Sequence, residues 1–396
     1  MQTVKVVIGA NYGDEGKGLA VDYFCQPGQS NVGVLTNGTA QRGHTVTLSD
    51  GRTHVFHHFS SGTFQGATTY IGEEFIVNPI VFVQEYEELV NKFNIVPVVY
   101  VHPNCKVATP YDMLANLLER RKRGVHDTCG LGFWKTVERY RKGISACTLK
   151  ELRSLLDYGT PFKDGNQVPR FYFDAQDRTL NNILGAAKDY HKDILKNATL
   201  DIDFAGLAGH FKEDLMFLFN HTICADYGVL LNYQNVIFES GQGLLIGNQK
   251  TNGEANWDFC TPSDTGVGPA LDIIEKNFFP WRDIEVCYVS RTYLTRHGDG
   301  PLDNECPREK VDRVAIDGTN FTNENQGALR YGILNGGLLK ERIQRDFNRT
   351  RLARRTYFPS VMFTHCNEHP AFIGIFDDMQ QYYSYSKVRE GVKKWL

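Results

Sequence analysis

The sequence lacks the features that would indicate a membrane protein, a secreted scaffold or a nucleic-acid complex. No uninterrupted apolar run is long enough to span a bilayer, and the N-terminus has no basic segment followed by an apolar one. The nine cysteines form no Cys-x-x-Cys pair, which argues against a zinc ribbon or a disulfide framework. Basic and acidic residues number 43 and 46, so no strong net field favours nucleic acid or a membrane surface. We therefore expect a cytoplasmic protein with reduced thiols.

The 396 residues also contain no repeat, low-complexity tract or obvious linker, and length alone leaves the number of domains open. Short β-branched runs alternate with amphipathic segments, which predicts an α/β fold with buried, parallel strands. The predicted elements include strands over 54–59 and 98–101 and helices over 80–91, 181–195 and 205–219. Residues 150–220 are mostly helical in pattern and poor in reactive side chains, and we interpret them as a helical subdomain.

The strongest single signal is a glycine-rich loop that joins a strand-like run to a helix-like run. It reads Tyr12-Gly13-Asp14-Glu15-Gly16-Lys17-Gly18. Loop N–H groups and a helix N-terminus attract phosphate, and Lys17 adds a full positive charge. The loop is not a Walker A motif, because Gly18 follows the lysine where that motif has Ser or Thr. Asp14 and Glu15 indicate a metal ligand or a catalytic base beside a phosphoryl group, whereas an ordinary surface turn is the alternative.

Two further polar loops follow in the first half of the chain. The loop over 36–45 ends a second strand-like run, and its His44, beside Gly43, suits proton or hydrogen-bond donation at neutral pH. A structural or solvated histidine is the alternative. The loop over 126–134 precedes a basic cluster that includes Arg139, which fits either an anionic ligand or a solvated helix face.

The second half of the chain adds three candidate ligand contacts. Gln242 stands between two glycines after the strand-like run 235–238, and its amide suits a purine edge or simply a solvated turn. The hydroxyl-rich segment 260–266 fits a phosphate site or a helix cap. Asn367 follows a late strand-like run over 360–364.

In their order along the chain, these motifs resemble the adenylosuccinate synthetase family, in a divergent form similar to its viral and archaeal branch. The loop over 12–18 is the most specific part of the resemblance, and residues 43–45 and 238–243 add weight through their order. The resemblance touches most of the chain in patches. It implies a single domain over 1–396 with one large, mostly parallel central sheet flanked by helices, and a homodimer. It also implies Mg²⁺- and NTP-dependent ligation of L-aspartate to C6 of a 6-oxopurine nucleotide through a 6-phosphoryl intermediate.

The resemblance also assigns roles by position. Asp14 matches the base and a Mg²⁺ ligand, with the Gly43 carbonyl as a second ligand. His44 matches the acid, and Lys17 matches the phosphate lysine. The expected nucleotide and phosphate contacts are Gly13, Glu15, Gly16, Lys17, Gly18, Gly43, Thr45 and Asn367. The expected contacts of the purine substrate are Gln41, Thr128, Arg139, Gln242 and Thr261. Arg139 lies near a family arginine that reaches into the neighbouring subunit's site, and Arg330 is expected to bind aspartate.

Departures from the family pattern affect the prediction of which nucleoside triphosphate the protein uses. The late strand ends Thr364-His365-Cys366-Asn367, where relatives that use GTP carry Lys-x-Asp. An aspartate accepts two hydrogen bonds from guanine, and Asn367 cannot do so in the same way, so we expect ATP to be favoured over GTP. Gln41 replaces an asparagine near the substrate, and Arg330 stands where the family has several arginines.

The purine is the other open choice. A carboxylate hydrogen-bonded at N1 lies close to C2, where IMP carries only hydrogen and dGMP carries an amino group. Because Asp14 is retained, we favour IMP. The alternative is dGMP, which would give N6-succino-2-amino-2′-deoxyadenylate as in the viral 2-aminoadenine pathway. An alternative of another class is a non-catalytic nucleotide-binding protein. The expected location is the cytoplasm, or the host cytoplasm for a viral protein, with no nucleic-acid or membrane partner.

Overall fold

The computed structural model describes residues 2–123, 130–144, 148–154, 178–196, 201–248, 259–277, 279–311, 329–368 and 375–395. In chain order, the strands of the described residues are Thr3–Gly9 (β1), Asn31–Leu35 (β2), Gly38–Thr39 (β3), His44–Thr47 (β4), Thr53–Phe56 (β5), Thr68–Ile71 (β6), Phe75–Val77 (β7), Val99–Val101 (β8), Lys106–Val107 (β9), Ile223–Cys224 (β10), Asn235–Gly243 (β11), Ile284–Arg291 (β12), Leu294–His297 (β13), Glu305–Cys306 (β14), Leu329–Gly332 (β15), Tyr357–Thr364 (β16), Gln380–Ser384 (β17) and Val392–Trp395 (β18).

The α-helices of the same residues are Lys17–Phe24 (α1), Pro79–Phe93 (α2), Pro110–Arg123 (α3), Phe133–Arg141 (α4), Leu149–Ser154 (α5), Arg178–Tyr190 (α6), Lys192–Leu195 (α7), Phe204–Asn220 (α8), Gly268–Lys276 (α9) and Gly336–Phe347 (α10). None of these helices is long and apolar enough to cross a bilayer.

Ten strands form one central sheet in the order β10-β8-β6-β2-β11-β1-β12-β16-β17-β18. Every neighbouring pair runs parallel except the edge pair β17 and β18. The middle strands are buried on both faces, and all eight residues of β12 are buried. This burial explains why they appear in sequence as near-continuous apolar runs. The predicted α/β fold with a large, mostly parallel sheet is confirmed.

The direction in which successive strands are added to this sheet reverses at its centre. From β1 the chain continues through β2, β6, β8 and β10 toward one edge, whereas from β11 it continues through β12 and β16 toward the other edge. The loops after β1 and β11 therefore leave neighbouring strands at a point where the strand order reverses. In open α/β sheets such a point, at the carboxyl ends of the strands, is where ligands bind.

Local signals explain the bounds of α2. The Asn78 side chain caps its start by accepting a hydrogen bond from the Val81 N–H at 3.4 Å, and Pro79 occupies the first turn. The helix ends at Asn94, whose φ of 56° is left-handed. The predicted helix over 80–91 therefore extends by one residue at its start and by two at its end.

Helices α5 to α8 lie within the predicted helical stretch 150–220 or at its border, and residues 155–177 of that stretch lie outside the described residues. Their apolar side chains join the same core cluster as β8 and α2. These helices thus pack on one side of the sheet. The wider prediction of a subdomain within a single domain stays a prediction.

Candidate active site

The loop between β1 and α1 is organised around the buried carboxylate of Glu15. Its Oε1 accepts hydrogen bonds from the N–H groups of Asn11 at 2.8 Å and Gly13 at 2.9 Å. The Nζ of Lys17 lies 3.4 Å from the other oxygen of Glu15. Gly16 has a φ of 94° and caps α1 without a side-chain hydrogen bond. The loop thus presents a lysine and a helix N-terminus without a side-chain cap, the combination that suits a phosphate group.

Asp14 occupies the crown of this loop. Its φ is 57°, a left-handed conformation that non-glycine residues rarely adopt. The Asp14 carbonyl accepts a hydrogen bond from the Nε of Arg291 at 2.6 Å, and its Oδ2 lies 3.4 Å from the Nε2 of His297. The side chain of Asp14 is 35% exposed. Arg291 therefore fixes the backbone at Asp14, His297 lies beside the carboxylate, and the carboxylate remains accessible to a ligand.

The carboxyl end of β11 packs directly against the loop after β1. A Cβ on Gly243 would lie only 2.3 Å from the carbonyl oxygen of Asn11, so no larger residue fits without a shift of backbone. Gln242, between the two glycines, has a left-handed φ of 68° and is partly buried. This arrangement places Gln242 at the same edge of the sheet as the phosphate loop, where strained residues often mark function.

The end of β16 meets the same loop. The hydroxyl of Thr364 donates a hydrogen bond to the carbonyl of Glu15 at 2.7 Å, and His365 follows with a left-handed φ of 61°. Asn367 is exposed just beyond this turn. The structure thus brings the late strand end, expected to contact a nucleotide, to the edge that carries Asp14 and Lys17.

His44, at the start of β4, is hydrogen-bonded to a carboxylate inside the protein. Its Nδ1 lies 2.6 Å from the Oε1 of Glu239 on β11. Burial, reinforced by the Arg42 guanidinium and only partly opposed by Glu239, lowers the pKa of His44 to about 3. The ring is therefore neutral at pH 7 in this structure. Since Glu239 holds the Nδ1 hydrogen, Nε2 is the nitrogen left to face a ligand.

Glu239 is fully buried and is a hydrogen-bond acceptor for several donors. Arg42 Nη2 lies 2.6 Å from Oε1, and the Ser61 N–H donates to Oε2 at 3.2 Å, while the Ser61 hydroxyl also donates to Oε1. Burial opposes ionisation of this carboxylate, but Arg42, His44 and Ser61 outweigh it and lower the pKa of Glu239 to about 2. The carboxylate is therefore ionised at neutral pH. Glu239 lies within the sequence motif over 238–243, but nothing in that motif indicates this role.

The segment before His44 contains the other expected contacts of this region. Gly43 is exposed, whereas Arg42 and His44 on either side are buried. A Cβ on Gly18 would lie 2.6 Å from the carbonyl oxygen of Thr45, so the phosphate loop and β4 are in direct contact. Gln41 is partly buried in the same turn. The two loops that carry Asp14 and His44 thus belong to one site.

The donor set fits Mg²⁺. Mg²⁺ prefers oxygen ligands, keeps several waters and is usually bound by one or two carboxylates together with substrate phosphates. Asp14 offers one accessible carboxylate, and the exposed Gly43 offers a backbone carbonyl. Among the residues that the structure describes, no group of three or more His, Cys, Asp or Glu side chains forms a closed metal site. A cation here would thus share its ligands with a nucleotide.

Two expected ligand contacts lie on other elements around this edge. The Oγ1 of Thr261 is buried and has no hydrogen-bond partner among the described residues, which leaves it available to a ligand. Arg330 on β15 is ion-paired with Glu305, with its Nε 2.8 Å from Oε1, and its Nη1 donates to the carbonyls of Gly298 and Gly300. An aspartate substrate bound at Arg330 must either share the guanidinium with Glu305 or displace the Glu305 carboxylate from it. Thr128 lies outside the described residues.

Arg139 forms a buried ion pair within the chain. Its guanidinium is fully buried, with Nε 3.0 Å and Nη2 2.9 Å from the two oxygens of Asp112 on α3. His191 Nε2 lies 2.8 Å from the same carboxylate. Removing one partner of such a buried pair typically costs about 3–5 kcal/mol. The structure therefore holds Arg139 in an ion pair with Asp112, and its expected contact with the purine substrate stays a prediction.

The chain is similar to proteins of one family. The family model of adenylosuccinate synthetase matches residues 6–350. Adenylosuccinate synthetase of Alkaliphilus metalliredigens is 27% identical over 341 residues, which cover 85% of this chain and 73% of the relative. The enzyme of Borrelia duttonii is 22% identical over 351 residues, with coverages of 86% and 73%.

Two solved structures share the fold. Fully ligated adenylosuccinate synthetase from Plasmodium falciparum has a TM-score of 0.65 at 17% identity and covers 92% of this chain and 77% of its own. Succinoaminodeoxyadenylate synthetase of cyanophage S-2L, bound to dGMP and to dATP as an energy donor, has a TM-score of 0.60 at 12% identity. It covers 100% of this chain and 95% of its own length.

Proposed function

Because the chain belongs to the adenylosuccinate synthetase family and is therefore a C–N ligase of purine nucleotide biosynthesis, we propose that it joins L-aspartate to C6 of IMP. The observation that carries the proposal is the placement of the Asp14 carboxylate, accessible at the crown of a phosphate loop. The co-substrate of the family is a nucleoside triphosphate, and Asp14 and Gly43 would hold Mg²⁺. When bound, this cation neutralises charge on the phosphates.

The chemistry requires an activated oxygen. The C6 carbonyl of a 6-oxopurine is a vinylogous amide and therefore a poor electrophile. Asp14 takes the N1 proton while O6 attacks the γ-phosphate, so a P–O bond forms at O6 as the bond to the β-phosphate oxygen breaks. The amine of aspartate then attacks C6, inorganic phosphate leaves, and the amine loses a proton. Asp14 thus acts as the base at the reacting purine.

The loop and His44 stabilise charge on the phosphoryl group as it transfers. Lys17 and the N-terminus of α1 supply positive charge at the loop. His44 is neutral in this structure, but an anionic group beside Nε2 favours the protonated ring. His44 therefore acquires its role as an acid when the triphosphate binds. Glu239 keeps the ring oriented for that contact.

The proposed choice of IMP over dGMP as the purine substrate rests on the position of Asp14. A carboxylate bonded to N1 lies beside C2, and the amino group that dGMP carries there would crowd it, so we expect IMP to be the better substrate. The second candidate is dGMP, which the coverage of the cyanophage enzyme favours, because that dGMP-bound protein matches this chain over its whole length.

Steady-state assays with IMP and dGMP, each with ATP and GTP, test this choice through aspartate-dependent phosphate release. We expect a higher kcat/KM for IMP than for dGMP. Reactions without aspartate are the control, since they report only background hydrolysis of the triphosphate. Efficient turnover of dGMP with IMP inert would reverse the assignment of the purine but leave the ligase chemistry in place.

A separate prediction concerns the triphosphate. Asn367 is exposed at the strand end beside the phosphate loop and lacks the carboxylate that would pair with guanine. We expect ATP to support turnover at least as well as GTP. Asn367→Asp should shift the ratio of kcat/KM values toward GTP, because a site matched to a base by hydrogen bonds rejects the wrong one strongly.

The matched control for this change is Asn232→Asp. Asn232 is also exposed but precedes β11, at the opposite end of the strands, so its replacement should leave the ratio unchanged. A wild-type enzyme that strictly requires GTP would contradict the assignment of Asn367. The homodimer and the cytoplasmic location implied by the resemblance stay predictions.

A further inference from the structure

Arg42 is a buried cation beside the proposed acid. It is among the largest side chains of the described residues that are fully buried. Its Nη2 lies 2.6 Å from Glu239 Oε1 and 3.4 Å from the carbonyl oxygen of Phe59. Its Nε and Nη1 have no hydrogen-bond partner among the described residues. Burial removes the hydration of the guanidinium, and the attraction within a buried ion pair often does not offset that cost. Stability alone therefore does not explain why Arg42 is buried here.

The oxygen that Arg42 contacts is the same one that orients His44. Glu239 Oε1 lies 2.6 Å from Arg42 Nη2 and 2.6 Å from His44 Nδ1. An ionised carboxylate only accepts hydrogen bonds, whereas a protonated one also donates. His44 therefore keeps its hydrogen on Nδ1 only while Glu239 stays ionised. Without a counter-ion, burial favours the protonated carboxyl group, which can instead donate to the ring.

We propose that Arg42 is a positioning residue of the ligase reaction, acting as the counter-ion that keeps Glu239 an acceptor and so fixes the His44 ring with Nε2 toward the reacting phosphoryl group. The inference rests on the proposed function of His44. Arg42 does not itself need to touch a substrate. Its backbone is also fixed, since its N–H donates to the Thr39 carbonyl at 3.0 Å.

A purely structural ion pair is the competing explanation, and a double-mutant cycle separates the two. Arg42→Met removes the cation at similar length, Glu239→Gln removes the carboxylate charge, and the double variant removes both. We expect Arg42→Met to lower kcat about 10- to 100-fold, as is typical of losing a group that orients a ligand side chain. The KM for IMP should change little, because Arg42 does not bind the purine.

The two changes should be non-additive, since Arg42 acts only through Glu239. The kcat of the double variant should match that of Glu239→Gln, whereas independent effects would multiply and overturn the proposal. Arg42→Lys, which keeps a cation, should restore much of the lost activity. Arg42→Met with a wild-type kcat would also overturn the proposal. If Arg42→Met fails to fold, the comparison of the double variant with Glu239→Gln still decides, because the double variant leaves no unpaired buried charge.

Arg355→Met is the matched control for loss of an ion pair. Arg355 Nη1 lies 2.9 Å from Glu275, at the opposite end of the strands, so this change should lower thermal stability but not kcat. Imidazole ¹⁵N NMR provides a readout without turnover. Wild-type His44 should carry its hydrogen on Nδ1, and Arg42→Met should give a mixture of tautomers. An unchanged tautomer would overturn the proposal, whereas failure of wild-type ligation with both purines would instead overturn the proposed function.

Discussion

Replacement of Asp14 with asparagine should reduce kcat by about 10²–10⁴-fold, the usual cost of losing a general base, and by more if the same carboxylate holds Mg²⁺. Asparagine is the informative substitute because it is close to aspartate in size and tolerates the left-handed φ of 57°. The amide cannot accept the N1 proton. The loss should therefore appear in the chemical step while the loop keeps its shape.

Steady-state kinetics with IMP and a thermal unfolding curve together test this expectation. The unfolding temperature of the variant should stay near that of the wild type, since the Asp14 side chain is partly exposed. Asp50→Asn is the matched control, because Asp50 is an exposed aspartate in the turn between β4 and β5. An Asp14→Asn enzyme with near-wild-type kcat would exclude Asp14 as the base.

Elements with strong local signals were predictable. The predicted strand over 98–101 became β8 without its first residue, because Val99 and Val101 are buried in the sheet whereas Val98 is exposed, and Asn78-Pro79 fixed the start of α2. The predicted strand over 54–59 is wrong at its end. It stops at Phe56 because the carboxylate of Glu85 accepts the N–H groups of His57 and His58 at 2.8 and 2.6 Å.

Tertiary contacts also changed one helix. The pattern predicted a continuous helix over 181–195, but the structure breaks it at His191 between α6 and α7. The side chain of His191 bonds to Asp112, which is 79 residues away in sequence. The same carboxylate binds Arg139, which sequence analysis assigned to a nucleotide. The choice of partner for a buried guanidinium depends on packing, so the local pattern carried no signal for it.

The candidate site likewise contains residues that local sequence patterns predicted and residues that only the fold brings together. Asp14 and Lys17 were predictable because glycines, carboxylates and a lysine lie within seven consecutive residues. The roles of Arg42 and Glu239 were not, since 197 residues separate them along the chain. Arg291 and His297 lie on β12 and β13, and only the fold brings them to Asp14. Sequence thus indicated the proposed reacting groups, whereas the side chains that contact them required the structure.

His44→Asn should lower kcat by about 10²–10⁴-fold, the typical cost of losing a general acid. Asparagine separates two functions of the ring. Its amide N–H lies near the position of Nδ1 and can still donate to Glu239, but nothing replaces Nε2. A loss as large as that of His44→Ala would assign the catalytic contribution to Nε2. His210→Asn, on an exposed histidine of α8, is the control and should leave kcat unchanged.

The same variant should change the pH dependence of stability. The pKa of His44 is lowered from 6.5 to about 3 in the folded protein, mainly by burial. Between these values the unfolded chain binds a proton that the folded protein does not, so wild-type stability falls as the pH falls. His44→Asn removes this contribution and should flatten the curve over that range, which urea unfolding at several pH values measures. An unchanged slope over that range would mean that the folded ring binds its proton at least as readily as the unfolded chain, and would contradict the lowered pKa of His44.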